Sequence, residues 1–414
     1  MKILAAIVLF FFGAVLLFGV GFSFRDLERG RLPDRRAVQA LVGAVAETAP
    51  EQLLNHSFNL IRSTYVRDVK PTPLRYAAIT GMISSLGDPH TMYLPPKEKE
   101  AFMFQTSQTL VGIGCSLEND SRGVKLGDVF DDSPAMKAGL QVGDVIIGVD
   151  GASIKGIARE SVVSRIRGKE GTPVRLTVIK ATNGQTVTVT AHRAKVFAPT
   201  VSSRFFADSN VGYVGIATFS DPTVDQFDAK LDGLQKKGMK GLIIDLRGDP
   251  GGLLDTAVDL LARFFENKVV VKMRHRDGTE EVAATPSNFK RNLDVPIVIL
   301  MNEDSASASE IFAGCMHDYG LATLVGAHSY GKSSVQHIFP MIDSAGVKVT
   351  IAKYYLPVTP YFGRVVDADG AYISGGLQPD VSVKLDPNIE PEALNPKKDA
   401  QLAKAIEILV AKRQ

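Results

Sequence analysis

The chain has 414 residues, room for two or three domains, each with its own core. Its 47 basic and 45 acidic residues leave a formal net charge of +2, so charge gives no case for nucleic acid as a partner. The 2 cysteines, Cys115 and Cys315, stand outside any metal-binding or redox spacing, and nothing in the sequence asks for a cofactor or a metal.

From Ile3 to Phe24 no residue is charged. Such a run is long enough to cross a bilayer, which takes ~20 apolar residues. No small-x-small cleavage site follows it, so an uncleaved anchor is favoured over a cleaved signal peptide. Lys2 precedes the run and Arg25, Arg29, Arg31, Arg35 and Arg36 follow it, a count that would by itself leave the body in the cytoplasm. Large domains after a first span often cross regardless of flanking charge, and that count carries little weight.

Residues 25–104 read as a charged linker and then a helical region, with apolar residues spaced at three and four and LGDPHTMYLPP as a closing turn. Across 105–195 the pattern changes to short β-runs such as LVGIGCSLE, DVIIGVDG and VRLTVIK. Short helices are expected at SPAMKAG, where Ser133 caps and Pro134 opens the first turn, and from about Arg159. Residues 196–390 alternate strand and helix: VGYVGIATF, a helix over 224–237, GLIIDL, a helix after GDPGG, KVVVKM, VPIVILMN and a helix over 307–319. That alternation predicts an α/β core with a largely parallel central sheet. Residues 391–414 end in an amphipathic helix, DAQLAKAIEILVAK.

Three segments of the α/β region have the makings of chemistry. After VPIVILMN come serines at 305, 307 and 309, at a helix start where free N–H groups and the dipole favour negative charge. The same pattern also serves as a plain N-cap. GLIIDLRGDPGGLL ends a buried strand in a turn able to aim unpaired N–H groups outward. GAHSYGKS matches the phosphate-binding pattern G-x-x-x-x-G-K-[ST], but SSVQHIFP after it reads as a strand, where a P-loop needs a helix. A buried, neutral Lys332 would instead serve as a base for serine, with Gln336 on the same face to orient it without adding charge. His317, His328 and His337 are the alternative bases, although no G-x-S-x-G elbow is present.

NEDSASASEIFAG, DLRGDPGGLL and SYGKSSVQ occur in the order and near the spacing of the carboxy-terminal processing (tail-specific) peptidases, which the chain resembles from about Leu53 to Val381. The resemblance implies a Ser/Lys dyad with Ser307 as nucleophile, Lys332 as general base, Gln336 positioning the lysine and Glu310 supporting the site. It implies oxyanion donors from the Gly251–Gly252 turn and the backbone of Ala308, without saying which glycine contributes. Asp249 stands where the family usually has Asn, Ser333 replaces a common Gly, and LPVTPYFGRVVDADGAYISGGLQPD is longer than the family stretch.

LVGIGCSLE with DVFDDSPAMKAGLQVGDVIIGVDG resembles a PDZ domain. Val111, Gly112, Ile113 and Gly114 would form the loop that holds a terminal carboxylate, beside which a peptide adds as a strand. The expected organisation is therefore multidomain α/β: an anchor or signal over 1–24, a linker and helical region over 25–104, a PDZ-like domain over 105–195, a serine protease core over 196–390 and a C-terminal helix over 391–414. The function implied is a serine endopeptidase acting on proteins with apolar C-termini, held in the cell envelope with its body on the extracytoplasmic side. The N-terminal region leaves room for a homo-oligomer. The rival function is a catalytically inactive, membrane-tethered PDZ scaffold.

Overall fold

The computed structural model describes residues 49–107, 109–385 and 394–413. The run from Ile3 to Phe24 lies outside them, and among the described residues no helix is long and apolar enough to cross a membrane. The chain divides into two compact units, Met1–Gly87 and Asp88–Gln414. In the first, α1 spans Ala49–Thr64 and α2 spans Pro71–Ser84. Proline opens α2 where no backbone donor is needed, and Lys70 before it is extended.

The second unit begins with β1 (Met92–Leu94) and α3 (Pro96–Ser107). The closing turn expected at LGDPHTMYLPP thus contains a strand, because Tyr93 and Leu94 are buried and the main chain of 92–94 pairs antiparallel with 346–348. The β-rich part follows: β2 (Thr109–Gly112), β3 (Cys115–Asp120), β4 (Gly123–Val129), α4 (Pro134–Lys137), β5 (Val145–Val149), β6 (Ala152–Ser153), α5 (Arg159–Ile166), β7 (Pro173–Ile179), β8 (Thr186–His192) and β9 (Ala194–Phe197). As the sequence predicts, Ser133 caps α4, its Oγ accepting the Met136 N–H at 3.1 Å. The strands run β3-β4-β5-β7-β8 with β6 on β5, around a core that includes Leu126, Ile146, Val162 and Leu176. β2 pairs separately with β9, and β3 is left as an open sheet edge.

The α/β part comprises β10 (Val201–Phe206), β11 (Val211–Ile216), α6 (Thr223–Lys236), β12 (Gly241–Asp245), α7 (Leu254–Leu261), β13 (Val269–His275), β14 (Glu280–Ala284), β15 (Ile297–Met301), α8 (Ala308–Asp318) and β16 (Ala322–Gly326). It continues through β17 (Ser334–Pro340), β18 (Gly346–Tyr355), β19 (Val365–Val366), β20 (Tyr372–Ser374), β21 (Val381–Ser382) and α9 (Ala400–Ala411). Its central sheet has the order β10-β11-β12-β15-β16-β21, parallel except where β10 meets β11. The pleat sends Leu242 and Ile244 into the core under α6, α7 and α8, and Ile243 into the core under α9. Burial on both faces is why these strands read as continuous apolar runs.

The sequence pattern did not separate out a second sheet, β1-β18-β13-β14 with β17 on β18. An Asp277–Gly278 turn, with Gly278 at φ 84°, folds β13 back on β14 as a hairpin and takes it out of the parallel alternation. The central sheet has one consequence for function. Segments 246–253, 302–307 and 327–333 leave the C-terminal ends of three adjacent parallel strands, β12, β15 and β16. In open α/β sheets that end is where ligand crevices form.

Candidate active site

The serine segment is the centre of this crevice. Ser305 and Ser309 are buried and committed: Ser305 Oγ donates to the Leu246 carbonyl at 2.7 Å, and Ser309 Oγ donates to the Asp249 carbonyl at 3.1 Å. Ser307 stands between them, partly exposed, at φ 58° and ψ −116°. Few non-glycine residues hold such a backbone, and strain of this kind clusters at functional sites. A strand, a sharp turn and a helix carry the hydroxyl, as in a nucleophile elbow. The G-x-S-x-G pattern is absent because small buried serines fill the flanking positions where glycine usually permits close packing.

The glycine turn backs directly onto this serine. Gly251 has φ 93°, and a Cβ there would lie 2.5 Å from the Ala306 carbonyl oxygen and 2.8 Å from the Ser307 Cβ, so only glycine fits. The Gly251 N–H donates to Asp249 Oδ1 at 2.8 Å. The N–H groups of Gly252 and Ala308 have no acceptor among the described residues.

Lys332 and Ser307 meet through Glu310. Glu310 Oε2 accepts the N–H of Ser307 at 2.8 Å and that of Lys332 at 2.9 Å. Its Oε1 accepts the Ser329 hydroxyl at 2.5 Å and the Gly331 N–H at 2.6 Å. Burial raises the Glu310 pKa against these four hydrogen bonds. The Lys332 amine pairs with no carboxylate among the described residues. Burial pushes it down to about 8, the Lys348 cation adds to the fall, and Glu310 and Asp88 oppose it. Gln336 lies on β17 with its Nε2 donating to Ser334 Oγ at 2.9 Å and Thr350 Oγ1 at 3.1 Å, and no hydrogen bond joins it to the lysine.

Several neighbours of Ser307 and Lys332 carried no sequence signal. The buried Tyr354 hydroxyl donates to the Lys332 carbonyl oxygen and lies 3.4 Å from that of Ser307. Lys348, also on β18, acts on Lys332 by charge, and so does Asp88. His90 is held below its usual pKa by burial and by the Lys332 cation. The three histidines considered as bases are occupied elsewhere. His317 faces Asp380 at 3.1 Å, His328 stacks on Tyr372 at 4.1 Å, and His337 packs on Phe339. After Lys332 comes strand β17 rather than a helix, so the P-loop context is missing. The long segment after β18 forms the β19–β20 hairpin and braces the lysine corner, its Arg364 N–H donating to the Gly331 carbonyl at 2.8 Å.

In the β-rich part, a groove of about 460 Å³ runs beside the free edge of β3 along α5, lined by Ile113, Leu117, Val163 and Ile166 among others. Val111 and Gly112 belong to β2 and pair with β9. The N–H groups of Ile113 and Gly114 have no backbone acceptor among the described residues. Gly114 has φ 76°, and a Cβ there would lie 2.4 Å from that of Ser133.

The chain is similar to known proteins along most of its length. The model for "Peptidase family S41" matches residues 210–383, that for "PDZ domain" 101–179, and that for "Activating protease CtpB N-terminal domain" 32–98. The carboxy-terminal processing protease CtpA of Bacillus subtilis (strain 168) is 34% identical over 334 residues, 80% of this chain and 68% of that one. The chain belongs to the carboxy-terminal processing proteases of peptidase family S41. A probable CtpA-like serine protease of Staphylococcus aureus (strain N315) is 34% identical over 332 residues, 80% of this family member and 64% of that chain. The solved photosystem II D1 C-terminal processing protease is 26% identical, covers 87% of this S41 chain and 98% of its own, and has a TM-score of 0.44.

Proposed function

We propose that this S41 family member is a serine endopeptidase that grips a free, apolar protein C-terminus in its PDZ groove and cuts through a Ser307/Lys332 acyl-enzyme. The observation that carries the proposal is the sharing of Glu310 Oε2 by the backbones of Ser307 and Lys332, beside a lysine whose pKa falls to about 8. Neutral Nζ takes the Ser307 proton as Oγ attacks the scissile carbonyl carbon. The carbonyl oxygen becomes an oxyanion facing the Gly252 and Ala308 N–H groups, with Gly251 shaping the turn. Collapse breaks the C–N bond, the Lys332 ammonium protonates the leaving amine, and water then attacks the ester by the same proton path. Gln336 acts at longer range, fixing the start of β17 against β18 just after Lys332.

Recognition follows from the groove. An extended tail adds to the open edge of β3, its carboxylate accepts the N–H groups of Ile113 and Gly114 at the end of the Val111–Gly112 strand, and its last side chain enters the apolar lining. The uncharged run from Ile3 to Phe24 supports attachment to a membrane, and the resemblance to the carboxy-terminal processing peptidases puts the catalytic body outside the cytoplasm. The scaffold reading draws no support from a site in which Ser307, Lys332, Gln336 and Glu310 are all present. The test is incubation of the purified full chain with a folded protein bearing an apolar tail, with cuts mapped by mass spectrometry. Cleavage that ignores removal of the tail would sink the recognition half, and no cleavage at all would sink the proposal.

A further inference from the structure

Asp249 is fully buried in the turn between β12 and α7, directly behind the serine. Its main-chain carbonyl accepts the Ala306 N–H at 3.0 Å and the Ser309 hydroxyl at 3.1 Å. Its Oδ1 accepts the Gly251 N–H at 2.8 Å, while Oδ2, equally buried, has no hydrogen-bond partner. Among the described residues no cation pairs with it. On its own segment, Arg247 is taken by Asp245 and Asp399. No charged group acts on its carboxyl, and the hydrogen bond that the carboxyl accepts is from the Gly251 N–H. An ionised carboxylate with one free oxygen and no counter-charge is among the least favourable occupants of a protein interior, whereas a neutral carboxyl is tolerated.

We propose that Asp249 is a positioning residue that works as a neutral carboxylic acid, holding the Gly251 turn against Ser307 and Ala308 when protonated and opposing the oxyanion when ionised. This rests on the proteolytic reading above. Protonated, the side chain supplies one carbonyl oxygen to Gly251, as an amide would. On losing its proton to solvent, it places a negative charge behind the N–H groups that should meet the developing oxyanion, in a medium that screens charge poorly. Burial pushes the Asp249 pKa up to about 8, so this loss falls within the working range of the Lys332 base. The enzyme acquires an upper pH bound that an asparagine at 249 would remove.

The experiment measures kcat/KM of the full chain on a tailed substrate from about pH 6 to 10, for the native protein and Asp249→Asn, with Ser307→Ala as the blank. Native activity should rise and then fall about tenfold per pH unit on the alkaline side, while Asp249→Asn keeps the rise and lacks the fall. An alkaline fall shared by both proteins, or absent from both, overturns the assignment. Thermal melting supplies the arm that needs no activity. A pKa raised in the fold makes the native protein lose stability relative to Asp249→Asn as pH climbs from about 4 to about 8, and the gap then levels off. A gap that does not change with pH overturns the assignment even if the chain cleaves nothing, in which case the proteolytic reading fails on separate grounds. If Asp249→Asn fails to fold, the infrared carboxylic-acid band of the native protein decides. A band that disappears between about pH 7 and 9 supports the proposal, and none at neutral pH refutes it.

Discussion

Ser307 and Lys332 hang from one oxygen: both backbone N–H groups donate to Glu310 Oε2, at 2.8 and 2.9 Å. Two segments that leave different strands are thereby set in a fixed relation before any substrate arrives. The carboxylate does this from a fully buried position, with its second oxygen closing the Ser329–Gly331 corner.

Glu310→Ala should therefore damage structure and catalysis together. Each buried donor left unpaired costs about 1–3 kcal/mol, so denaturant unfolding should show a loss of ~3 kcal/mol or more. Glu310→Gln should be nearly as harmful, since its NH2 group meets donors. Full stability in either variant would mean the clamp is dispensable.

The three serines should separate cleanly. Ser307→Ala should abolish cleavage and, as the change of an N-cap residue, cost at most about 0.5–2 kcal/mol of stability. Ser305→Ala strips the Leu246 carbonyl and the Asn302 N–H of a partner and should cost about 1–3 kcal/mol while cleavage persists. Loss of turnover in the 305 variant with retention in the 307 variant would reassign the nucleophile.

On the proposed mechanism the lysine sets the acid limb. With its pKa at about 8, kcat/KM should climb about tenfold per pH unit below that value and then level from this group. Lys332 also penalises the fold when charged: its pKa is lower in the native state, so stability should rise with pH from about 8 towards its ordinary value of 10.5. Lys332→Met should lose cleavage and melt higher than the native protein at pH 7, with the difference shrinking over that window. A difference that stays constant would show the amine to be well solvated.

Lys348 is the second lever. It is buried, its ammonium lies 4.8 Å from the centroid of the Phe102 ring, and its charge pushes the Lys332 pKa down. Lys348→Met should move the acid limb of the rate profile to higher pH, and Lys348→Arg should leave it near its native place. Identical profiles for the native protein and the Met variant would remove Lys348 from the account.

Recognition has its own handle in Gly114. Gly114→Ala forces a side chain into the space of Ser133 at a φ that alanine resists, which should disturb the loop offering the Ile113 and Gly114 N–H groups. KM for a tailed substrate should rise several-fold while kcat changes little, as steady-state kinetics with tailed and tailless substrates would reveal. An unchanged KM would argue that the groove plays no part in capture.

Much of this was legible in the sequence, because each catalytic segment directly follows a strand of a regular alternation and bears a compact local pattern. GLIIDL, VPIVILMN and LATLV become neighbouring parallel strands, and their C-terminal loops converge of necessity. Tyr354, Lys348, Asp88 and His90 were not legible. They reach the lysine through β18 and the 88–94 segment, whose antiparallel pairing joins distant positions and leaves no short-range signature. The resemblance pointed to Ser307, but the local pattern of identical residues at alternate positions did not separate it from Ser305 and Ser309, whose burial commits them elsewhere. Asp249 could be read as a departure from the family pattern, but its orphaned oxygen is a property of packing alone.

Ser307 holds a posture that glycine would adopt freely, and its surroundings enforce it at roughly 1–3 kcal/mol. A glycine in its place would make a sturdier and idle molecule. With Ser307 as the proposed nucleophile, heat resistance and turnover make opposite demands on that one position, and the protein's endurance is limited by the twist that turnover needs.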